Sequence, residues 1–335
     1  MKRLAKKSKS LIIAFKIYQN WRLKRQFASG EIETDHGSTH RKKSLDESLS
    51  YIDEQFVDYL TYGDVTFEQL RGKKILELGF GDNVGVALRF LAAGAARVVC
   101  VDKFYSRRDV AHEREVYAAL RARLSDDEKR RFDEAIVLAD GITFNASRLS
   151  CLNGLELETA AARLLKQEER FDIIASRAVI EEIYEPDKVF AAADKLLAPG
   201  GLMLHKIDLR DYGIFTESGL HPLTFLTIPE SVYRLMATDS GIPNRKLLGY
   251  YRGKTAELGY EAKFFVTDVV GHGPIIPHQE VSQLNGEYSQ LALPVIDAIR
   301  PRLAREFREL PDAELMVCGV FLVARKPIAA RAPAA

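Results

Sequence analysis

Carboxylates at the ends of apolar segments are the first chemistry visible in this chain. Glu77 stands in the run Lys73–Leu78 (KKILEL), two residues before the first glycine of Gly79-Phe80-Gly81-Asp82-Asn83-Val84-Gly85. Gly79 and Gly81 permit a tight turn and let a ligand approach the backbone closely. The third glycine, Gly85, comes one residue late for the dinucleotide fingerprint G-x-G-x-x-G. No Lys-Ser/Thr pair follows, so the segment is not a P-loop. A carboxylate beside such a loop repels a pyrophosphate; it favours a cation or accepts hydrogen bonds from an amine. Asp102 closes the run Arg97–Val101 (RVVCV), where a carboxylate can accept both hydroxyls of a ribose. Asp140 closes Ala135–Ala139, placed to accept from an exocyclic adenine amine. Together the three suit a cationic nucleoside without phosphates.

These residues need elements to hold them. From Lys73 onward, short β-branched runs alternate with helical patterns, which implies a parallel sheet with helices on both faces. The expected strands are Lys73–Leu78, Arg97–Val101, Ala135–Ala139, Phe171–Ala175 and Leu202–Ile207, with Tyr260–Thr267 and Glu314–Ala324 near the end. The expected helices are a segment running to Ala93 and stopped by Gly94, then Val110–Leu124, a short one opened by Ser125-Asp-Asp-Glu128 at capping-box spacing, Asp187–Leu197, and Pro294 to Arg308. Upstream, Leu45–Leu60 forms a helix with Leu49, Ile52, Phe56 and Tyr59 on one face. In a sheet of this kind, ligands sit outside the carboxyl ends of the strands, which is where Glu77, Asp102 and Asp140 stand.

The ordered set ILELGFGDNVG, VVCVD, LADG, FDIIAS and LAPGG resembles the class I S-adenosylmethionine-dependent methyltransferase superfamily, small-molecule type, over roughly residues 70–270 plus the final strand. The resemblance implies an α/β fold: a Rossmann-like, doubly wound, mostly parallel seven-stranded sheet whose last strands form an antiparallel edge, here with an N-terminal helical extension. It implies S-adenosyl-L-methionine as cofactor. Glu77, Gly79 and Gly81 would line its methionine end, Asp102 would hold the ribose, and Asp140 and Gly141 would meet the adenine. Asn83, Gly85, Lys103, Ser176 and Arg177 complete the expected cofactor site. The implied domain spans residues 45–327, with insertions at about 211–255 and 269–312, a basic helix and linker over 1–44, and a tail at 328–335.

A hydroxyl acceptor profits from a general base. The catalytic candidates are His205 and Asp208 at the end of strand five and His221 in the loop beyond, with Asp211 and Glu181 as further carboxylates. Histidine has the right intrinsic pKa, although a histidine within a strand can equally be a hydrogen-bonded core residue. Arg177, just past strand four, reads two ways: it binds an acidic substrate or pairs with a glutamate. The long connection 211–255 is expected to build the acceptor pocket with the helix at 45–60, offering Asn244 and Arg245 as polar contacts.

Composition bounds these readings. The chain has 335 residues, 47% hydrophobic and 28% charged, ordinary for a globular protein. Cys100, Cys151 and Cys318 form no C-x-x-C pair, so neither a disulfide framework nor a zinc site is expected, and a reducing cytoplasm fits. Residues 1–30 carry nine Lys/Arg and no acid, which leaves the rest of the chain at −8 against a total of +1. The body is therefore a poor nucleic-acid binder. The helix expected over 1–28, with Leu4, Leu11, Phe15 and Tyr18 on one stripe broadened by Ile13, Ile17 and Trp21, is read as peripheral contact with an anionic membrane. It could instead be a solvated tail or a helix packed on the body. Competing functional readings are a nicotinamide-dependent oxidoreductase and a membrane-associated cofactor binder without turnover.

Overall fold

The computed structural model describes residues 8–35, 37–139 and 141–328. Eight strands form one twisted sheet: β1 (Lys74–Leu78), β2 (Arg97–Asp102), β3 (Leu149–Asn153), β4 (Phe171–Arg177), β5 (Leu197–Asp208), β6 (Glu261–Val269), β7 (Gly273–Glu280) and β8 (Val317–Arg325). Their spatial order is β7-β6-β8-β5-β4-β1-β2-β3. The five strands β1 to β5 are mutually parallel, while β8, β6 and β7 pair antiparallel along one edge. The chain reverses between β1 and β4, so the carboxyl ends of β1, β2 and β4 open a crevice there, as the switch-point rule requires. The eighth strand, β7, lies beyond the expected seven and comes from the second insertion.

The helices of eight residues or more are α1 (Lys9–Ala28), α2 (Leu45–Gly63), α3 (Gly85–Ala93), α4 (Val110–Ala122), α5 (Asp126–Asp133), α6 (Leu157–Lys166), α7 (Pro186–Leu196), α8 (Glu230–Ala237), α9 (Leu248–Glu257) and α10 (Gly286–Asp297) among the described residues. Two apolar clusters lie on opposite faces of the sheet. One gathers α2, α3 and α4 through Leu49, Ile52, Phe56, Tyr59, Phe90 and Tyr117. The other gathers α6, α7 and the insertions. The expected punctuation operates as chemistry. Gly94 ends α3 in the left-handed region at φ 118°. Ser125 and Glu128 exchange backbone and side-chain hydrogen bonds at the start of α5. The segment expected as a helix from Pro294 to Arg308 is instead the end of α10, with Pro294 inside it, followed by short turns.

One strand assignment fails, and it matters for the site. Ala135–Ala139 does not enter the sheet. Ile136–Val137 pairs antiparallel with Thr143–Phe144 in a separate two-stranded ribbon, and Val137 is exposed. The place beside β2 belongs to β3, in the register Val98↔Leu149 through Asp102↔Asn153. An edge strand needs only one apolar face, so LSCLN carries a weaker hydrophobic signal than AIVLA while forming the longer ladder.

The polar segment 29–44 is not a loose connection. Glu33–Thr34 pairs in parallel with Tyr105–Ser106, and His40–Lys42 forms a 3-10 turn before the Ser44–Glu47 capping box of α2. It passes across the carboxyl end of the sheet, where Asp82 accepts the backbone N–H groups of His40 (3.1 Å) and Arg41 (2.9 Å).

Candidate active site

A cavity of about 550 Å³ opens at the carboxyl ends of β1, β2 and β4. Its floor is the β1–α3 loop, which depends on glycine at two points. Gly79 has φ 68° and a Cβ there would overlap Val179; Gly81 has φ 62° and its Cβ would come within 2.6 Å of the Gly37 carbonyl. The loop can therefore close against the strap over 37–41 only without side chains at these positions. Beneath it, Val84 N donates to the Tyr117 hydroxyl (2.8 Å), which donates to Glu113 (2.6 Å), itself paired with Arg108 (2.7 Å).

Glu77 lines this cavity at the end of β1 and is buried. Its hydrogen-bond donor is the weak Cys100 thiol, Sγ to Oε2 3.7 Å. Burial pushes its carboxyl up to about 7. Asp102 holds the neighbouring position, accepting from Gly81 N (3.1 Å) and Phe104 N (3.0 Å). Those two bonds leave lone pairs for a ligand, while burial raises its pKa. Lys103 lines the cavity and pairs with Glu156 at 2.9 Å. Arg177 lines it too, but pairs with Asp58 (3.3 Å) and Glu54 (3.6 Å), with its guanidinium 5.1 Å from the Tyr51 ring centroid. The carboxylate-pairing reading of Arg177 is the one the geometry supports. Asp58 also binds Lys206 at 2.8 Å, so the arginine belongs to a fixed network.

Of the expected cofactor residues, the structure gathers Glu77, Gly79, Gly81, Asn83, Asp102, Lys103 and Arg177 around one cavity. It places three elsewhere. Gly85 faces α2, where a Cβ would overlap Ile52, so that glycine serves helix packing. Ser176 is buried and bonded to His205 Nδ1 at 2.7 Å. Gly141 left the sheet with the misassigned strand and lies in the ribbon's turn. Asp140 lies outside the described residues. The rim position expected of 140–141 is taken by the segment after β3, whose Leu155, Glu156, Leu157 and Glu158 line the cavity.

The three catalytic candidates do not reach the cavity. His205 is buried, bonded to Ser176, edge-on to Phe190, and burial lowers its pKa to about 3. It is a neutral core histidine. His221 Nε2 bonds the Val295 carbonyl at 2.9 Å and its Nδ1 accepts from Leu223 N at 3.1 Å, so both nitrogens are committed to holding the insertion. Asp208 is paired with Arg210 at 2.6 Å. Asp211 caps its own turn through Gly213, Phe215 and Thr216. Asn244 bonds the carbonyls of Ile180 and Ile183, and buried Arg245 bonds those of Phe225 and Ile228, so neither is a pocket contact.

Among the carboxylates that do line the cavity is Glu182, one residue past a candidate. Glu181 is fully buried and accepts from Asp208 N (2.7 Å) and the Tyr212 hydroxyl (2.9 Å). On the same 3-10 turn after β4, Glu182 lines the cavity, hydrogen-bonded by the Tyr212 hydroxyl, and makes no ion pair among the described residues. Burial raises the Glu182 carboxyl well above its ordinary range, and Glu181 and Asp102 reinforce the shift. His40, Tyr51, Gln55 and Tyr184 join it as lining groups. Only the apolar face of α2 was visible as a sequence signal for this region.

The chain belongs to the methyltransferase-domain family: residues 52–255, more than half of its length, match that family. A methyltransferase domain is what that match shows, and it displaces the nicotinamide reading in favour of the expected S-adenosylmethionine. No curated protein sequence matches the chain. Among solved structures, Haemonchus contortus phosphoethanolamine N-methyltransferase 2 aligns over 82% of this chain and 53% of its own, at 14% identity and a TM-score of 0.39. A Bacillus cereus O-methyltransferase in complex with S-adenosylhomocysteine aligns over 92% and 91%, at 13% identity and 0.35. An O-methyltransferase family protein of Burkholderia thailandensis aligns over 96% and 73%, at 10% identity and 0.39. The chain thus spans about half the length of the Haemonchus protein.

The residues present fit this cofactor. A buried carboxylate served by one weak thiol donor is expensive to ionise alone, and a cationic ligand supplies the missing partner. Glu77 would hold the charged amino-acid end and Asp102 the ribose hydroxyls. When bound, the cofactor supplies an electrophilic methyl group.

Proposed function

We propose that the chain methylates an oxygen or nitrogen of a small-molecule acceptor held in the part of the cavity lined by α2, the strap over 37–41 and the turn after β4, with Glu182 as the base. The observation that supports this reading is the position of Glu182: a half-buried carboxylate, outside any ion pair among the described residues, in the same cavity as Glu77 and Asp102. An O–H or N–H acceptor must lose a proton as its bond to the methyl carbon forms. A carboxylate whose pKa is raised is a stronger base toward that proton than an ordinary one. The remaining lining groups are suited to holding an acceptor still, and positioning alone supplies a large share of such a rate enhancement. His40 offers a neutral imidazole, since burial lowers its pKa to about 4. Tyr51 and Tyr184 line the cavity with their rings, the Tyr184 hydroxyl being bonded to Glu230.

The test is S-adenosylhomocysteine release over a panel of primary amines, phenols and alcohols, run with wild type and Glu182→Gln. Turnover on a panel member, reduced roughly 10²–10⁴-fold in the variant with S-adenosylhomocysteine affinity retained, is the expected result. Full turnover by Glu182→Gln, or activity confined to protein or RNA acceptors, overturns the proposal.

A further inference from the structure

The helix α1 is docked on the body by one face and leaves the other uncovered. Ile12, Ile13 and Ile17 pack on the core, and α8 is its principal partner. Asn20 is buried and exchanges two hydrogen bonds with the body: its Nδ2 donates to Thr238 Oγ1 (3.0 Å), and its Oδ1 accepts from Asp239 N (2.7 Å). Lys9 reaches the Thr227 carbonyl. The helix is thus a fixed part of the fold. This corrects the expected stripe: the inward side is Ile13, Ile17 and Asn20, while Leu11, Phe15 and Tyr18 point out.

The outward side is unusual. Leu11 is 53% exposed, Phe15 56%, Tyr18 53% and Trp21 50%. At spacings of three and four residues they form one continuous stripe. Tyr18 and Trp21 lie with ring centroids 6.1 Å apart, and the Arg25 guanidinium sits 4.9 Å from the Trp21 ring. Arg22 and Lys24 are exposed alongside. No acid occurs before Glu31. Glu31 accepts from Gln26, and the nearby Glu33 and Asp35 are paired with Arg107 and Arg41, so the acids at this end are already engaged. No helix among the described residues is long and apolar enough to cross a membrane.

We propose that this outward face of α1 docks on an anionic lipid bilayer, lying in the interface with its aromatic residues inserted and Arg22, Lys24 and Arg25 among the headgroups. The pattern of apolar and aromatic side chains flanked by cations is what an interfacial helix needs, and Trp and Tyr are at home at the headgroup level. A second copy of the chain is a poorer occupant, because pairing two such faces would bring like charges together without one acid to offset them. Docking also bears on the active site. Thr238 and Asp239, held by Asn20, line the cavity, as does Phe104, whose ring stands edge-on to Phe27 at 5.8 Å. The helix that meets the bilayer is therefore a direct support of the cavity wall.

The experiment is co-sedimentation of the full chain with phosphatidylglycerol/phosphatidylcholine vesicles and with pure phosphatidylcholine vesicles, at low and high salt. Two variants accompany it, Phe15→Ser with Trp21→Ser and Arg22→Gln with Arg25→Gln; all four side chains are exposed, and melting curves verify that the fold is kept. Wild type is expected to pellet with the anionic vesicles at low salt and to be released by salt. Each cation near an anionic surface contributes roughly fivefold to partition, so the double arginine variant should bind about 30-fold more weakly, and the aromatic variant should also lose binding. Wild type that stays in the supernatant with anionic vesicles at low salt overturns the proposal. Pelleting insensitive to both variants does the same. So does a dimer in sedimentation velocity that only the aromatic variant dissociates, which would assign the face to a second copy. None of these readings requires turnover, so they stand apart from the acceptor assignment.

Discussion

Replacing Glu77 by Gln should stabilise the cofactor-free protein while weakening its ligand binding. The carboxyl is fully buried and its pKa rises from 4.5 to about 7 because of that burial, with only the Cys100 thiol opposing. Between those two values the native chain holds a proton that the unfolded chain has released. Native stability therefore falls as pH rises through this window. The penalty is absent below about 4.5 and fully present above about 7. At 1.36 kcal/mol per pH unit, the difference is worth about 3 kcal/mol. Glu77→Gln keeps the shape and removes the charge, so it abolishes that cost. For a domain of this size the melting temperature at pH 8 should rise by on the order of 5 °C, and the gap to wild type should close as pH falls toward 5. Binding moves in the opposite direction. A hydrogen bond to a charged group contributes about 1.5–3 kcal/mol, so affinity for S-adenosylhomocysteine should drop roughly 10- to 100-fold. Thermal melts from pH 5 to pH 9, with and without that ligand, together with calorimetric titration, measure both. A variant that melts at or below wild type at pH 8, with no change in the gap across the range, would refute the assignment of Glu77 as an uncompensated buried carboxylate awaiting a cation.

Asp102→Ala should weaken S-adenosylhomocysteine binding roughly 10- to 100-fold and lower the melting temperature as well, because Gly81 N and Phe104 N lose their acceptor; unchanged affinity by calorimetry would leave Asp102 a loop cap only. Gly79→Ala combines a left-handed backbone with overlap on Val179, so urea unfolding should show a loss of about 2–4 kcal/mol, whereas a loss near zero would mean the loop moves freely out of the way.

Much of the architecture was legible from residue order. Apolar β-branched runs, Gly94 and the Ser125–Glu128 capping box are local signals, and local signals specify local structure; Pro199-Gly200-Gly201, by contrast, reads as a break before a strand at Leu202 but lies inside β5, which starts at Leu197. Glu77, Gly79, Gly81 and Asp102 were legible for the same reason, since each stands at the end of a strand that its own sequence announces. What tertiary structure decided is which runs join the sheet and where each polar side chain is spent. AIVLA pairs in a ribbon of its own while LSCLN takes the place beside β2, a choice between two runs that only long-range pairing makes, and Gly141 lies away from the site with the former. His205, His221, Asp208 and Arg245 carry reactive groups, yet each meets a partner distant in sequence or locked in its own turn. Glu182 and Glu181 are adjacent on one 3-10 turn after β4, yet only Glu182 lines the cavity, a distinction of geometry to which composition is blind. The outward aromatic stripe of α1 belongs to the same class: apolar residues lie on two sides of this helix, and only docking on Thr238 and Asp239 determines which of them meets the core and which is left to solvent.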